Sequence, residues 1–286
     1  MFIEKYFYKT GSQSVGKALF IPELRRDKYM AAEFLRLYKE ELLNVKLEGT
    51  TAFLYAGGPA SHHSDIRNIN DSSIDGKIVI KGQIGYTAYN MARLYENIDY
   101  VSVNANTCAS SMYCLHEAKW LLETYDNVII YAEDMVDKTQ LFLFEQLQID
   151  LVCGDGIAMM HLTKERTSNT VAEVTGTSWV WNKDSSPMSV SQEGYTKMLK
   201  GLNCRDVGIV KPHGTGTYRN DSEEDAVIAA VFPDATVIKY KPEIGHTQGA
   251  STIIELGMLL DREESFTAVL MASGLGAHYG GCKVVK

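Results

Sequence analysis

Apolar and polar positions alternate along the chain in blocks of two kinds. Thr51–Tyr55, Tyr100–Val103, Asn127–Ala132, Ile157–Leu162, Val171–Val180, Val207–Lys211, Thr236–Lys239 and Phe266–Ala272 are short runs rich in β-formers, and they read as strands. Between many of them the apolar residues recur at helical spacing. Lys28–Leu43 puts Met30, Phe34, Leu35, Tyr38 and Leu42 on one side, and Met112, Leu115, Ala118 and Leu122 do the same after Cys108. Ile253, Ile254, Leu256, Met258 and Leu260 make a third helix almost wholly apolar, which predicts burial on all sides. Strands alternating with helices predict a layered α/β fold. The first thirty residues fit neither pattern cleanly.

Two segments match in order. Tyr100–Val103 leads through a loop to Cys108, a helix to about Tyr125 and the strand Asn127–Ala132. Thr236–Lys239 leads through a loop to His246, a helix to about Leu260 and the strand Phe266–Ala272. In each the polar reactive residue stands at a helix start, where free N–H groups and the positive dipole end favour negative charge. Facing each other across a pseudo-twofold axis, the two units would bring Cys108 and His246 together.

Composition narrows the class without deciding it. The 286 residues, 45% hydrophobic and 22% charged, suffice for one large core or two fused ones. No apolar run approaches a membrane span, and the start Met1-Phe2-Ile3-Glu4-Lys5 lacks the regions of a secretory signal, so a cytoplasmic protein is expected. Five cysteines with neither CxxC nor Cys/His metal spacing predict reduced thiols and no metal site. A formal charge of −8 argues against general affinity for nucleic acid.

Three short words carry the candidate chemistry. Thr107-Cys108-Ala109-Ser110-Ser111 places a thiol at a helix start, where the dipole is expected to lower its pKa and small neighbours leave room for substrate. The other cysteines, at 114, 153, 204 and 282, read as small buried hydrophobes. Lys211-Pro212-His213-Gly214-Thr215-Gly216-Thr217 follows a strand and pairs tight-turning glycines with hydroxyls able to bond a ligand chain. Ile244-Gly245-His246-Thr247-Gln248-Gly249-Ala250-Ser251 enters the apolar helix, which makes its loop rigid. A surface His213 and a merely structural His246 remain open on the residues alone. One thiol and two imidazoles beside small residues suit acyl transfer followed by carbon–carbon bond formation.

Taken together, the Cys-Ala-Ser-Ser elbow, the His-Gly-Thr-Gly-Thr loop, the Lys-x-x-Ile-Gly-His-Thr-x-Gly-Ala signature and the glycine-rich ending resemble the β-ketoacyl synthases, the decarboxylating condensing enzymes of the thiolase fold. Cys153-Gly154-Asp155-Gly156 also resembles that family's Gly-acidic-Gly strand entrance, and the likeness runs from about residue 50 to the C-terminus. The resemblance implies a layered αβαβα thiolase-like fold of two pseudo-symmetric halves, 1–165 carrying the nucleophile and 166–286 carrying both histidines, in one compact unit. It further implies that Cys108 takes an acyl group, with an oxyanion hole from its own N–H and one from Gly274-Leu275-Gly276. His213 and His246 would then stabilise the enolate of a malonyl-type extender. Lys241 would order the site through an acidic partner, for which Glu224 is the match by position, and Thr215 and Thr217 would hold a phosphopantetheine arm.

The implied partners are an acyl carrier protein or acyl-CoA and a second subunit, in a homodimer or a heterodimer with a related chain. No cofactor bound to the protein itself is implied. Arg25, Arg26, Lys197, Lys200 and Arg205 are candidates for a basic patch that meets an acidic carrier. Departures from the family pattern are plain. The third catalytic position is His246, as in elongating synthases, whereas the compact frame and the ending Ala272–Gly281 resemble initiating (type III) enzymes. Leu275 stands where elongating enzymes often have a gating Phe. Two other readings stay in view: a thiolase-fold acyltransferase that makes an ester or amide without decarboxylation, and a non-catalytic partner subunit resembling a chain-length factor.

Overall fold

A computed structural model describes residues 1–25, 30–57 and 83–286. The chain runs β1 (Phe2–Thr10), the short β2 (Gln13–Val15) and β3 (Ala18–Phe20), α1 (Met30–Leu43), β4 (Thr51–Gly57), α2 (Ile84–Ala92) and β5 (Ile98–Asn104). A 3₁₀ turn at Thr107–Ala109 opens α3 (Ser110–Leu121), followed by β6 (Asn127–Asp134), α4 (Lys138–Gln146), β7 (Cys153–Gly154) and β8 (Gly156–Thr163). The second half comprises β9 (Ala172–Trp181), α5 (Gln192–Lys200), β10 (Ile209–Lys211), α6 (Tyr218–Val231), β11 (Thr236–Val237) and α7 (Lys241–Ile244). A second 3₁₀ turn at Gln248–Ala250 then opens α8 (Ser251–Leu260), and β12 (Thr267–Gly274) and β13 (His278–Val285) complete the chain.

Strand order exposes the duplication. Among the described residues, ten strands run β11-β10-β12-β13-β9-β1-β8-β6-β4-β5. Read outward from the centre, β1-β8-β6-β4-β5 and β9-β13-β12-β10-β11 are the same five-strand set in the same order. In each, the first two pairings are antiparallel and the last two parallel. The sets pair through β1 and β9 at Phe2↔Glu173 and Ile3↔Ala172.

Helices α3 and α8 lie between the sets. α3 packs on β4 and β6 of one and on β9 and β13 of the other, and α8 packs on β1, β8 and β12 as well as on α3. The main core follows from that position. Met112, Cys114, Leu115 and Ala118 of α3 and Ile253, Ile254, Leu256 and Leu259 of α8 are all buried in it. Helix α1 covers one outer face and α5 and α6 the other, each with its own apolar cluster. The result is the layered αβαβα arrangement expected from the sequence. Among the described residues no helix is long and apolar enough to cross a membrane.

The internal match is offset by a few residues from the sequence reading. The two 3₁₀ turns face each other, and the left-handed residues Thr107 (φ 49°) and Gln248 (φ 44°) open them alike. Thr107 therefore corresponds to Gln248 and Cys108 to Gly249. His246 stands on the loop before the turn, two residues ahead of the position that mirrors Thr107.

Candidate active site

Cys108 is placed by the end of β5 and the turn that starts α3. That elbow is braced by β12: a Cβ on Gly274 would lie 2.6 Å from the Asn106 carbonyl and 2.7 Å from Thr107 Oγ1, so only glycine lets the backbones approach. Across the site, His246 is held by main-chain pairing with the entrance of β7. Its N–H donates to the Val152 carbonyl (2.7 Å), and Gly154 N–H donates to the His246 carbonyl (3.1 Å). Gly245 makes the turn at φ +73°, where a side chain would also strike the Cys153 carbonyl at 2.6 Å.

These placements bring Cys108 Sγ and ring nitrogens of His213 and His246 all within 4.8 Å of one another. The imidazoles meet edge to face, with ring centroids 5.3 Å apart. Both are buried. Burial holds them neutral by pushing their pKa values well below the ordinary 6.5, and the nearby Lys241 and Lys211 charges act in the same direction. Gln248 N–H donates to His246 Nδ1 (2.9 Å), so the neutral ring carries its proton on Nε2 and offers a donor there.

The thiol departs from its expected state. Cys108 S–H donates to Gln248 Oε1 at 3.3 Å. Burial pushes its pKa up to about 12, against the pull of Lys241, so the lowered thiol expected from the sequence is not found. To act as a nucleophile, this thiol would have to release its proton as the sulfur bonds. Gln248 touches both Cys108 and His246, a role that sequence reasoning missed because the residue occupies a variable position of its motif.

Glu224 is not the partner of Lys241, and here the expectation is corrected. Its carboxylate accepts from the backbone N–H groups of His213 (2.5 Å) and Gly214 (2.8 Å), fixing the loop rather than the lysine. Lys241 Nζ donates instead to Glu255 Oε1 (2.7 Å) and to the His213 carbonyl (2.5 Å). Lys211 donates to the other oxygen of Glu255. Two cations and one carboxylate are thus buried together behind His213. The available signal was Glu255 itself, one acid in an otherwise apolar helix.

The remaining candidates fall at the margin. Thr215 and Thr217 are half-buried, with hydroxyls 2.8 Å apart across the turn at Gly216. Gly276 N–H donates to the Pro187 carbonyl (2.8 Å), so it is already engaged and does not serve as the second oxyanion donor. Leu275 is 52% exposed. The glycine-rich ending beyond it is not a loop, since His278 opens the strand β13.

Residues 182–260 match the family model for the β-ketoacyl synthase C-terminal domain. A chain of the AntDE:AntF assembly, a type II polyketide synthase acyl-carrier protein in complex with its ketosynthase bound to the hexaketide, superimposes with TM-score 0.79 at 15% identity. That match covers 94% of this chain and 88% of the other. The chain shares the fold of that ketosynthase, and the family match is confined to its residues 182–260. The ishigamide ketosynthase/chain length factor gives TM-score 0.74 at 15% identity, over 98% of this chain and 91% of that one. A β-ketoacyl synthase from Burkholderia phymatum STM815 gives 0.76 at 13%, over 94% and 88%. No curated protein matches the chain. The matched ketosynthase segment contains His213, Glu224, Lys241, His246 and Glu255 but not Cys108, whose assignment rests on geometry.

Proposed function

We propose that the protein is a carrier-dependent condensing enzyme of fatty acid or polyketide assembly. The observation that carries this reading is the convergence of the Cys108 thiol with two neutral imidazoles, one of them a fixed Nε2–H donor. In the first half-reaction Cys108 sulfur attacks an acyl thioester, the S–H proton leaves, and the carrier thiol is released protonated. In the second, a malonyl-type thioester loses carbon dioxide. His246 Nε2–H and His213 stabilise the resulting enolate oxygen, the carbanion displaces Cys108 from the acyl carbon, and the departing thiolate takes up a proton to restore the thiol. Neutral imidazoles suit this work because they donate without first needing to lose or gain a proton.

The extender arrives on a phosphopantetheine arm, for which the paired Thr215 and Thr217 hydroxyls line the approach. The partner is an acidic acyl carrier protein, drawn to local basic side chains despite the −8 total. Of the candidates, Lys200 and Arg205 are exposed. Arg25 is engaged by Glu33 and Lys197 by Glu193, while Arg26 lies outside the described residues. The intact nucleophile and assembled histidines favour catalysis over the chain-length-factor reading.

The test is intact-mass measurement after exposure to acyl-carrier and acyl-CoA thioesters, followed by malonyl-carrier with detection of carbon dioxide. Cys108→Ala should abolish the adduct while the protein stays folded. His246→Ala should keep the adduct and lose condensation by about a hundredfold or more, the cost of a missing oxyanion donor. An undiminished adduct in Cys108→Ala, or no adduct on the wild-type protein, overturns the assignment.

A further inference from the structure

Four acids gather at the end of β6 and its surroundings: Glu133, Asp134, Asp137 and Asp155. Three are committed to hydrogen bonds. Glu133 accepts from the hydroxyls of Tyr55 (2.9 Å) and Tyr131 (2.6 Å). Asp155 accepts from the N–H groups of Ile21 (2.7 Å) and Val136 (2.8 Å), and Asp137 from that of Gln140 (2.8 Å). Asp134 differs. It is 1% exposed, and neither carboxyl oxygen has a well-formed hydrogen bond.

Its position is beside the chemistry. Asp134 ends β6 opposite Gly156, whose backbone packs on Thr247, the neighbour of His246. It lies close enough that a negative charge on it would raise the pKa of both the Cys108 and the Cys153 thiol. Two further buried polar atoms on the paired elbows, Gln248 Nε2 and Thr107 Oγ1, also lack partners. Buried polar groups left unpaired in this way are costly, and their concentration around one nucleophile calls for a ligand that completes them. Burial, with Asp155, Asp137 and Glu133 around it, pushes the Asp134 pKa well above the usual carboxylate value and favours its neutral form, and only the Met135 N–H pulls the other way. A neutral carboxyl is an O–H donor.

We propose that Asp134 is a specificity-determining residue that donates a hydrogen bond to an oxygen on the β-carbon of the acyl chain held by Cys108. This rests on the acyl-transfer reading above and names its substrate class: a 3-oxo- or 3-hydroxyacyl chain rather than a saturated one. Claisen condensation itself supplies that pattern, because each round leaves a carbonyl two carbons from the new thioester carbon. The reaction that feeds this site is accordingly another condensation without full reduction, or one followed by ketone reduction alone. A saturated chain leaves the Asp134 O–H dry and unpaired, and a site built to bond a substrate oxygen discriminates against the analogue that lacks it.

The test compares acylation rates of the full-length protein with hexanoyl-, 3-hydroxyhexanoyl- and 3-oxohexanoyl-pantetheine, read by intact mass at Cys108. The oxygenated chains should load faster by about tenfold or more. Asp134→Leu should bring the ratio near one, and Asp134→Asn, which keeps an N–H donor, should retain part of it. Should Asp134→Leu fail to fold, the wild-type ratio and the Asp134→Asn change decide. Equal or faster loading of hexanoyl by the wild type, or a preference unmoved by the folded variants, overturns the proposal while leaving acyl transfer standing. No adduct with any of the three overturns the acyl-transfer reading on which it rests.

Discussion

Protonating His213 or His246 would add a cation to a buried site that already holds Lys211 and Lys241. The sign of the pH effect follows. Both folded-state values lie well below the ordinary 6.5, so the stability these rings contribute is complete above pH 6.5 and is lost as pH falls below it. His161, lowered to about 4 by burial, acts in the same direction. Glu224, raised to about 7 by burial, opposes them over the upper part of that window. Each imidazole should steepen the acid loss by about 1.4 kcal/mol per pH unit. Urea titrations from pH 7.5 to 5 should show a shallower dependence in His246→Gln than in the wild type, and identical slopes would refute the buried neutral state. The convergence of Cys108, His213 and His246 was legible because each sits in a word of small residues that lets backbones approach closely. Glu255 and Gln248 were not, because which carboxylate faces Lys241 and which amide faces Cys108 are decided by packing between elements remote in sequence.

At the scale of elements, periodicity located every strand it named to within a few residues, and those strands are mostly buried on both faces. It missed β1 and β13, as well as the two- and three-residue β2, β3 and β7. In β1 the half-buried Tyr6, Phe7 and Tyr8 interrupt alternation, and β13 hides behind Gly280 and Gly281, which read as loop. Gly280 and Gly281 are instead strand positions where Met112 and Met198 press on the backbone, a close approach that carries no periodic signal. Helix α8 shows how an element supports chemistry. Its apolar faces lock it between the sheets, so Glu255 is delivered rigidly to Lys211 and Lys241. Glu255→Gln would leave two buried ammonium groups hydrogen-bonded only to a neutral amide and the His213 carbonyl, and should cost roughly 3–5 kcal/mol, the range for removing one member of a buried ion pair. Glu224→Gln loses only charge-assisted bonds to backbone N–H and should cost less, about 1–3 kcal/mol. Chemical denaturation of both variants ranks them, and the reverse order would sink the assignment of Glu255 as the central counter-ion.

For the whole molecule, the two five-strand sets place their ends differently. One edge is β11, only two residues long, which presents little unpaired backbone. Among the described residues the other is β5, seven residues long, with Val101 and Val103 half-buried and Tyr100 exposed. A long edge strand of β-formers invites pairing, and a chain that stays soluble must cover it. Pairing with the same strand of a second copy across a twofold axis does so, closes the assembly and leaves no growing edge. The same argument admits a related chain in place of the second copy. Because β5 leads directly into the Cys108 elbow, the interface would also fix the nucleophile, so dissociation should lower acylation together with stability. We therefore expect a dimer by light scattering at micromolar concentration, and Val101→Lys with Val103→Lys should shift it toward monomer with slower loading of Cys108. A wild-type monomer with full activity would show that β5 stands alone.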